Sequence, residues 1–376
     1  MKDPRVRRLA EVITGYSCAL KPGEKFLIEA NGSCDPLVEA LIEEAYRAGA
    51  VPFVWLKKDE LLRPLLMGCT EEQLSVMAEN DIALMRQMDA YVGIRGVENT
   101  SELSSVPPEK TAQFGRIYRK PLHGDLRVPN TKWCALHYPT RAAAQTAGMS
   151  TADFEEFFFR VCTLDYARLR RAMEPLKQLM ERTDQVHILG PGTDLRFSIK
   201  GLPAVCCAGD KNLPDGELFS APVRGSIQGQ ISFNTPTLYD GYTFEGIRLT
   251  YRDGRLVDAQ ANDTKRIQAV FDRDEGAKGV GEFSFGLNPC ITKPMKDTLF
   301  DEKITGSFHF TPGNCYDECD NGNKSSIHWD LVCIQTPEYG GGEMWFDGTL
   351  IRKDGRFVLP ELEGLNPERL LEEPME

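Results

Sequence analysis

Apolar positions along the first third of the chain alternate between helical and extended patterns. Val6, Leu9, Val12, Ile13 and Tyr16 recur at helical spacing, and Lys21-Pro22-Gly23 stops that helix before the apolar run Phe26-Leu27-Ile28. The same reading predicts a helix from Pro36 to about Ala48, ended by Gly49, and a strand from Val51 to Leu56. Helical segments follow near Glu60 to Leu66 and Glu71 to Met85, then a strand from Ala90 to Ile94, a helix around Lys110 to Arg119 and a strand from Trp133 to His137. Short, mostly apolar strands alternating with helices imply an α/β domain with a largely parallel sheet. Asp153 to about Arg182 is strongly helical and reads as a bridge between domains.

From Gln185 the pattern changes. Val186 to Leu189, Leu195 to Ile199, Gly225 to Phe233, Tyr242 to Tyr251, Leu256 to Ala261, Phe283 to Leu287 and Ile327 to Gln335 are short, β-rich and separated by turns such as Asp253-Gly254. One helical stretch, Thr264 to about Arg273, interrupts them. The expected organisation is an α/β domain over residues 1–150, a helical bridge over 151–184, and a mixed, mainly antiparallel β-rich (α+β) domain over 185–376. Glu361 to Glu376 reads as a charged, frayed tail.

Composition narrows the partners. A chain of 376 residues with 41% hydrophobic content suffices for two cores. The formal charge of -12 disfavours nucleic acid or an anionic membrane as a partner. No apolar run approaches the roughly 18 residues of a membrane span. Eleven cysteines, an odd number, with a charged amphipathic Met1 to Leu20 rather than a signal peptide, predict reduced thiols and a cytoplasmic location. Neither G-x-S-x-G nor H-E-x-x-H occurs, and Gly340-Gly341-Gly342 lacks the Lys-Ser/Thr of a phosphate cradle.

The remaining chemistry lies in the β-rich half. In extended backbone, His328 and Asp330 project to one face while Trp329 points away into packing. Glu217 follows the turn Pro214-Asp215-Gly216; taken alone it reads as a surface acid. Glu282 sits in the apolar segment Val280 to Gly286, where a carboxylate needs a cation, a metal or a proton. His309 lies in the strand-like run Ser307 to Phe310, and by itself suits a core histidine as well as a ligand. Together Glu217, Glu282, His309, His328 and Asp330 form an oxygen and nitrogen set that suits zinc, cobalt, manganese or iron. Five ligands exceed the needs of one catalytic zinc, so two ions sharing a carboxylate fit the count. A closed site built from Cys315 and Cys319 with two histidines is the competing sulfur reading.

At these residues the chain resembles the aminopeptidase T (M29) family of metallopeptidases. The resemblance begins with Leu20-Lys21-Pro22-Gly23-Glu24-Lys25, continues through Tyr138-Pro139-Thr140, Ala147-Gly148-Met149-Ser150 and Gly192-Thr193-Asp194-Leu195, and is most specific further on. There Asp215-Gly216-Glu217 with Ala221-Pro222, Gly281-Glu282-Phe283, Asp301-Glu302-Lys303 leading to Gly306 and His309, and Ser326-Ile327-His328-Trp329-Asp330 occur in the family's order. The resemblance implies that Glu217, Glu282, His309, His328 and Asp330 bind two divalent metals. It implies that Glu302 is a further ligand or the general base, and that Tyr316 donates to an oxyanion. It implies, too, a homodimer with an enclosed site for short peptides. The chain departs from the family at Phe310-Thr311-Pro312-Gly313, where small and apolar residues are usual.

The expected function is metal-assisted removal of N-terminal residues from short peptides. The same scaffold resembles ring-opening dioxygenases that hold one ferrous ion with two His and one Asp, a role His309, His328 and Asp330 would suffice for.

Overall fold

A computed structural model describes residues 3–372. The chain forms two compact units: one runs to Leu164 and includes Gly209–Pro214, and the other holds Asp165–Ala208 and the chain from Asp215 onward.

The first unit is built on a five-stranded, fully parallel sheet. Its strand order is Val51–Lys57, Lys25–Gly32, Ala90–Gly96, Lys132–His137 and Asn212–Leu213. Helices Asp35–Arg47, Asp59–Gly68 and Glu71–Met85 fall where the apolar periodicity places them. The helix expected around Lys110 to Arg119 runs from Pro108–Phe114 into a π-helical segment, Gly115–Arg127.

The predicted bridge is two helices, Thr151–Cys162 and Tyr166–Arg182, one in each unit. Asp165 causes the break. Its carboxylate accepts from Arg168 N at 2.9 Å, satisfying an otherwise orphaned amide and starting a new helix.

The second unit stacks two antiparallel sheets. The larger has eight strands in the order Arg255–Gln260, Arg248–Arg252, Gln228–Ser232, Thr193–Ser198, Gln185–Gly190, Glu343–Phe346, Thr349–Lys353 and Arg356–Phe357. The smaller has five strands: Leu331–Ile334, Ser307–Pro312, Val280–Gly286, Glu217–Ser220 and Val205–Cys207. Register sorts its side chains by period two. Phe283 pairs with Phe310, and Phe285 with Phe308, so these rings share one face. They pack on Phe197, Tyr251, Phe346 and Phe357, with Phe283 5.0 Å from Phe197 between ring centroids. The opposite face carries Glu217, Glu282 and His309.

The segment expected to fray is partly ordered. Pro360–Leu365 and Pro367–Leu371 are short helices, Leu362, Leu365 and Leu370 are buried, and Asn366 brackets the Phe357 backbone at 3.0 and 3.1 Å. Three buried leucines among the charges explain the difference, since they provide apolar area that holds the segment down. Residues 373–376 of the expected tail lie outside the described residues.

Candidate metal centre

The smaller sheet positions the site. Gly286 pairs with Glu217, Ser284 with His309, and Glu282 with Thr311, so the two glutamates and the histidine converge on one face. Glu217 is 8% exposed, not the surface acid it resembles in isolation. Tight turn geometry brings it there: Gly216 has φ +126°, and a Cβ at that position would lie 2.9 Å from Asn288 N.

His328 and Asp330 were expected within a strand, yet regular pairing begins only at Leu331. His328 makes an isolated bridge to Gly313. The alternation still holds: His328 Nε2 lies 3.1 Å from Asp330 Oδ1, while Trp329 is buried and stacks on Tyr239 at 4.4 Å. Gly281 allows the Asn314 segment to pass close by, because a Cβ there would sit 2.1 Å from Asn314 O.

The five candidate ligands form two groups of three, Glu217 with Glu282 and His309, and Glu282 with His328 and Asp330. Within each, the ligand atoms all lie within 4.8 Å of one another. Glu282 belongs to both. Its Oε1 is 2.9 Å from His309 Nε2, and its Oε2 is 3.5 Å from His328 Nε2. The second contact is longer than an ordinary hydrogen bond, and among the described residues this buried oxygen has no hydrogen-bond partner.

Both imidazoles are oriented from behind. His309 Nδ1 lies 3.2 Å from Glu302 O, and His328 Nδ1 lies 2.8 Å from Asn314 O. A carbonyl only accepts, so each Nδ1 carries the proton and each Nε2 faces the carboxylates, the arrangement that metal-binding histidines adopt. Thr311 Oγ1 donates to Asp330 Oδ1 at 2.8 Å. Phe310 thus packs in the aromatic core and the next residue, Thr311, lies against a candidate ligand.

Electrostatics match a cation site. Burial pushes the Glu282 carboxyl above its ordinary range. Burial alone would lower the histidines, but the hydrogen bond and charge of Glu282, with Glu217 and Asp330, raise His309 to about 9. His328 rises to about 10 because Asp330 and Glu282 outweigh its burial. Burial also opposes ionisation of Asp330, yet His328 holds its carboxyl well below the usual range. An orphaned carboxylate oxygen, imidazoles held by backbone carbonyls and a surplus of negative charge fit a divalent-metal site.

Glu302 lies beside the two groups rather than within them, and its Oε1 contacts Lys303 Nζ. Tyr316 stands at the edge with its ring 4.7 Å from His328 and 5.6 Å from Phe219, and it is 46% exposed. Cys315 and Cys319 join neither group. Cys315 Sγ lies 3.0 Å from Asp320 Oδ1, and Cys319 Sγ is 3.3 Å from Pro203 O. The sulfur reading therefore does not describe this cluster, and the described cysteines are free thiols.

Sequence reasoning passed over one residue at the centre. Lys303 is fully buried and lies 2.8 Å from Glu217 Oε1. Its place inside Asp301-Glu302-Lys303, a matched motif in an otherwise polar turn, was the signal available.

The chain is similar to known proteins over nearly its whole length. The profile of the thermophilic metalloprotease (M29) family matches residues 2–357. Aminopeptidase T of Thermus thermophilus is 27% identical over 406 aligned positions, covering 94% of this chain and 98% of the relative. Aminopeptidase AmpS of Bacillus subtilis is 29% identical, covering 87% of this chain and 88% of the relative. The solved structure of wild-type AmpT from Thermus thermophilus superposes with a TM-score of 0.80 at 24% identity, over 95% of this chain and 99% of that one. A 2,5-dihydroxypyridine dioxygenase from Pseudomonas putida shares the fold with a TM-score of 0.60 at 13% identity, over 96% of this chain and 98% of that one. Since the family profile spans nearly the whole chain, this protein belongs to the M29 family of metalloproteases, hydrolases of peptide bonds.

Proposed function

We propose that the protein is a metal-dependent aminopeptidase that removes N-terminal residues from short peptides at a centre of two divalent ions, with Glu282 shared between them. One observation carries this reading: the two ligand groups have Glu282 in common and otherwise use different residues. The aminopeptidase names of the relatives support cleavage at the N-terminus.

Divalent ions in such a centre supply Lewis acidity toward a scissile carbonyl and acidify water. Glu217 and His309 would hold one ion and His328 and Asp330 the other, with Glu282 common to both groups. The carbonyls of Glu302 and Asn314 keep both Nε2 lone pairs aimed inward. Glu302, adjacent to the ligands but outside their groups, is the group placed to take a proton from water and deliver it to the leaving amine. Tyr316, on the exposed edge against His328, is the donor for the oxyanion.

Charge supports the number of ions. Three carboxylates, Asp215, Glu217 and Glu302, pair with one lysine, and Glu282 and Asp330 complete the ligand groups; fully ionised, the five leave four negative charges beyond the lysine, which two divalent ions would neutralise. Zinc, cobalt and manganese all suit this oxygen and nitrogen set. The free thiols suit a reducing, cytoplasmic setting, and assembly as a homodimer with an enclosed site follows from the family resemblance.

Release of p-nitroaniline from leucine p-nitroanilide, with chelation and restoration by cobalt or zinc, tests the assignment. Chelator-sensitive release is expected; its absence with every aminoacyl substrate contradicts the reading. The dioxygenase alternative needs only His309, His328 and Asp330, leaving the buried Glu282 and Glu217 beside them unexplained. Oxygen uptake with a dihydroxypyridine and ferrous ion would favour that alternative.

A further inference from the structure

Lys303 is fully buried, a position that costs a lysine heavily unless it is paired. Its backbone is held on both sides: Lys303 N donates to Phe300 O at 3.1 Å, and Asn288 N donates to Lys303 O at 3.0 Å. Its ammonium is 2.8 Å from Glu217 Oε1, in direct contact with Glu302 Oε1, and 3.9 Å from Asp215 Oδ1. A compact ammonium with three donors suits such a ring of carboxylates. The other oxygen of Glu217, Oε2, faces His309 Nε2 at 3.4 Å. The lysine thus occupies one oxygen of Glu217 and leaves the second for the ligand group.

We propose that Lys303 is a resident cation of the metal centre, a positioning residue that ties Glu217 down as a one-oxygen ligand and withholds Glu302 and Asp215 from the ions. The centre then takes two divalent ions rather than three. This inference rests on the two-ion reading above. An ammonium beside a divalent ion repels it strongly at low effective dielectric. Removing the lysine therefore leaves carboxylates that attract a further ion; removing Glu302 as well restores the balance.

The test is equilibrium dialysis of the metal-free protein against cobalt, with ions per chain counted by elemental analysis and folding checked by circular dichroism. Wild type is expected to hold two ions, Lys303→Met one more than wild type, and the double variant Lys303→Met/Glu302→Gln the wild-type number. Glu302→Gln alone should weaken at least one ion by at least about tenfold, a lower bound for one charge lost beside a divalent ion in a buried site. A folded Lys303→Met with the wild-type count or fewer overturns the proposal. Should that variant fail to fold, the other two decide: Glu302→Gln with unchanged affinities, or a folded double variant with fewer ions than wild type, also overturns it. The wild-type count tests the two-ion reading, and the difference between variant and wild type tests the lysine, so the two failures are distinct.

Discussion

Replacing Gly281 with alanine tests how backbone packing sets the metal centre. The added Cβ would lie 2.1 Å from Asn314 O and 2.4 Å from Asn314 C, both backbone atoms that cannot rotate away. Relief requires the Asn314 segment to retreat by about 1 Å, given that such contacts normally exceed roughly 3 Å. Asn314 O is the acceptor that orients His328 through Nδ1 at 2.8 Å, so the retreat loosens a candidate ligand the substitution never touches. Overpacking of this kind costs about 1–3 kcal/mol, and loss of a histidine's outer partner lowers metal affinity about 10- to 100-fold. The affinity loss should fall on the Glu282, His328 and Asp330 group and spare Glu217 and His309. Urea unfolding of the metal-free variant, followed by cobalt titration monitored by visible absorption, reads both effects. A Gly281→Ala protein as stable as wild type that binds both ions with wild-type affinity would refute the reasoning.

Three further outcomes follow from the same geometry. His309 at about 9 and His328 at about 10 are protonated near neutrality in the metal-free protein. Their raised values stabilise that form at neutral and lower pH and cease to do so as pH climbs through 9 to 10. Metal uptake at pH 7 should therefore release about two protons per chain and tighten as pH rises; calorimetry in buffers of different ionisation enthalpy measures this, and a zero proton count contradicts it. Tyr316→Phe should lower kcat by about 10²- to 10³-fold, the usual cost of one oxyanion donor, with the ion count unchanged; steady-state kinetics beside elemental analysis checks both, and wild-type turnover would remove the tyrosine from the chemistry. Trp329→Ala should cost about 3–5 kcal/mol in denaturant unfolding of the metal-free protein, as for other buried tryptophans, because its ring is buried among Tyr239, Phe244 and Phe271; a cost below about 1 kcal/mol would show that the ring is not part of the core.

Much of the architecture was legible because it follows local patterns. The helix Asp35–Arg47 and the parallel strands are carried by periodicity, and the polar and aromatic faces of Glu282–Gly286 and Ser307–Pro312 by alternation. The candidate ligands are legible as an ordered series, although only the folded arrangement shows Glu282 common to two groups. What escaped depends on contacts remote in sequence. Lys303 looks like any lysine in a charged turn until Glu217 is brought against it from another strand. Glu302 read as ligand or base because no local signal shows which carboxylate the neighbouring lysine contacts. The break at Asp165 was readable in principle, since an aspartate three residues before Arg168 is a helix-capping signal, but the flanking helical periodicity masked it. The ordered part of the C-terminal segment was hidden by its charge, which outweighed three leucines that find a surface only in the folded unit.

The central claim is that Glu282 joins two ions in one centre. Electron paramagnetic resonance of the protein loaded stepwise with manganese tests it most directly, because ions sharing a carboxylate lie about 3.5–4 Å apart and their spins couple. The account predicts that an isolated-ion signal at low loading gives way to an exchange-coupled spectrum as the second equivalent binds, and that Glu282→Gln abolishes the coupling. Saturation at a single equivalent, or two ions with uncoupled spectra, would contradict it.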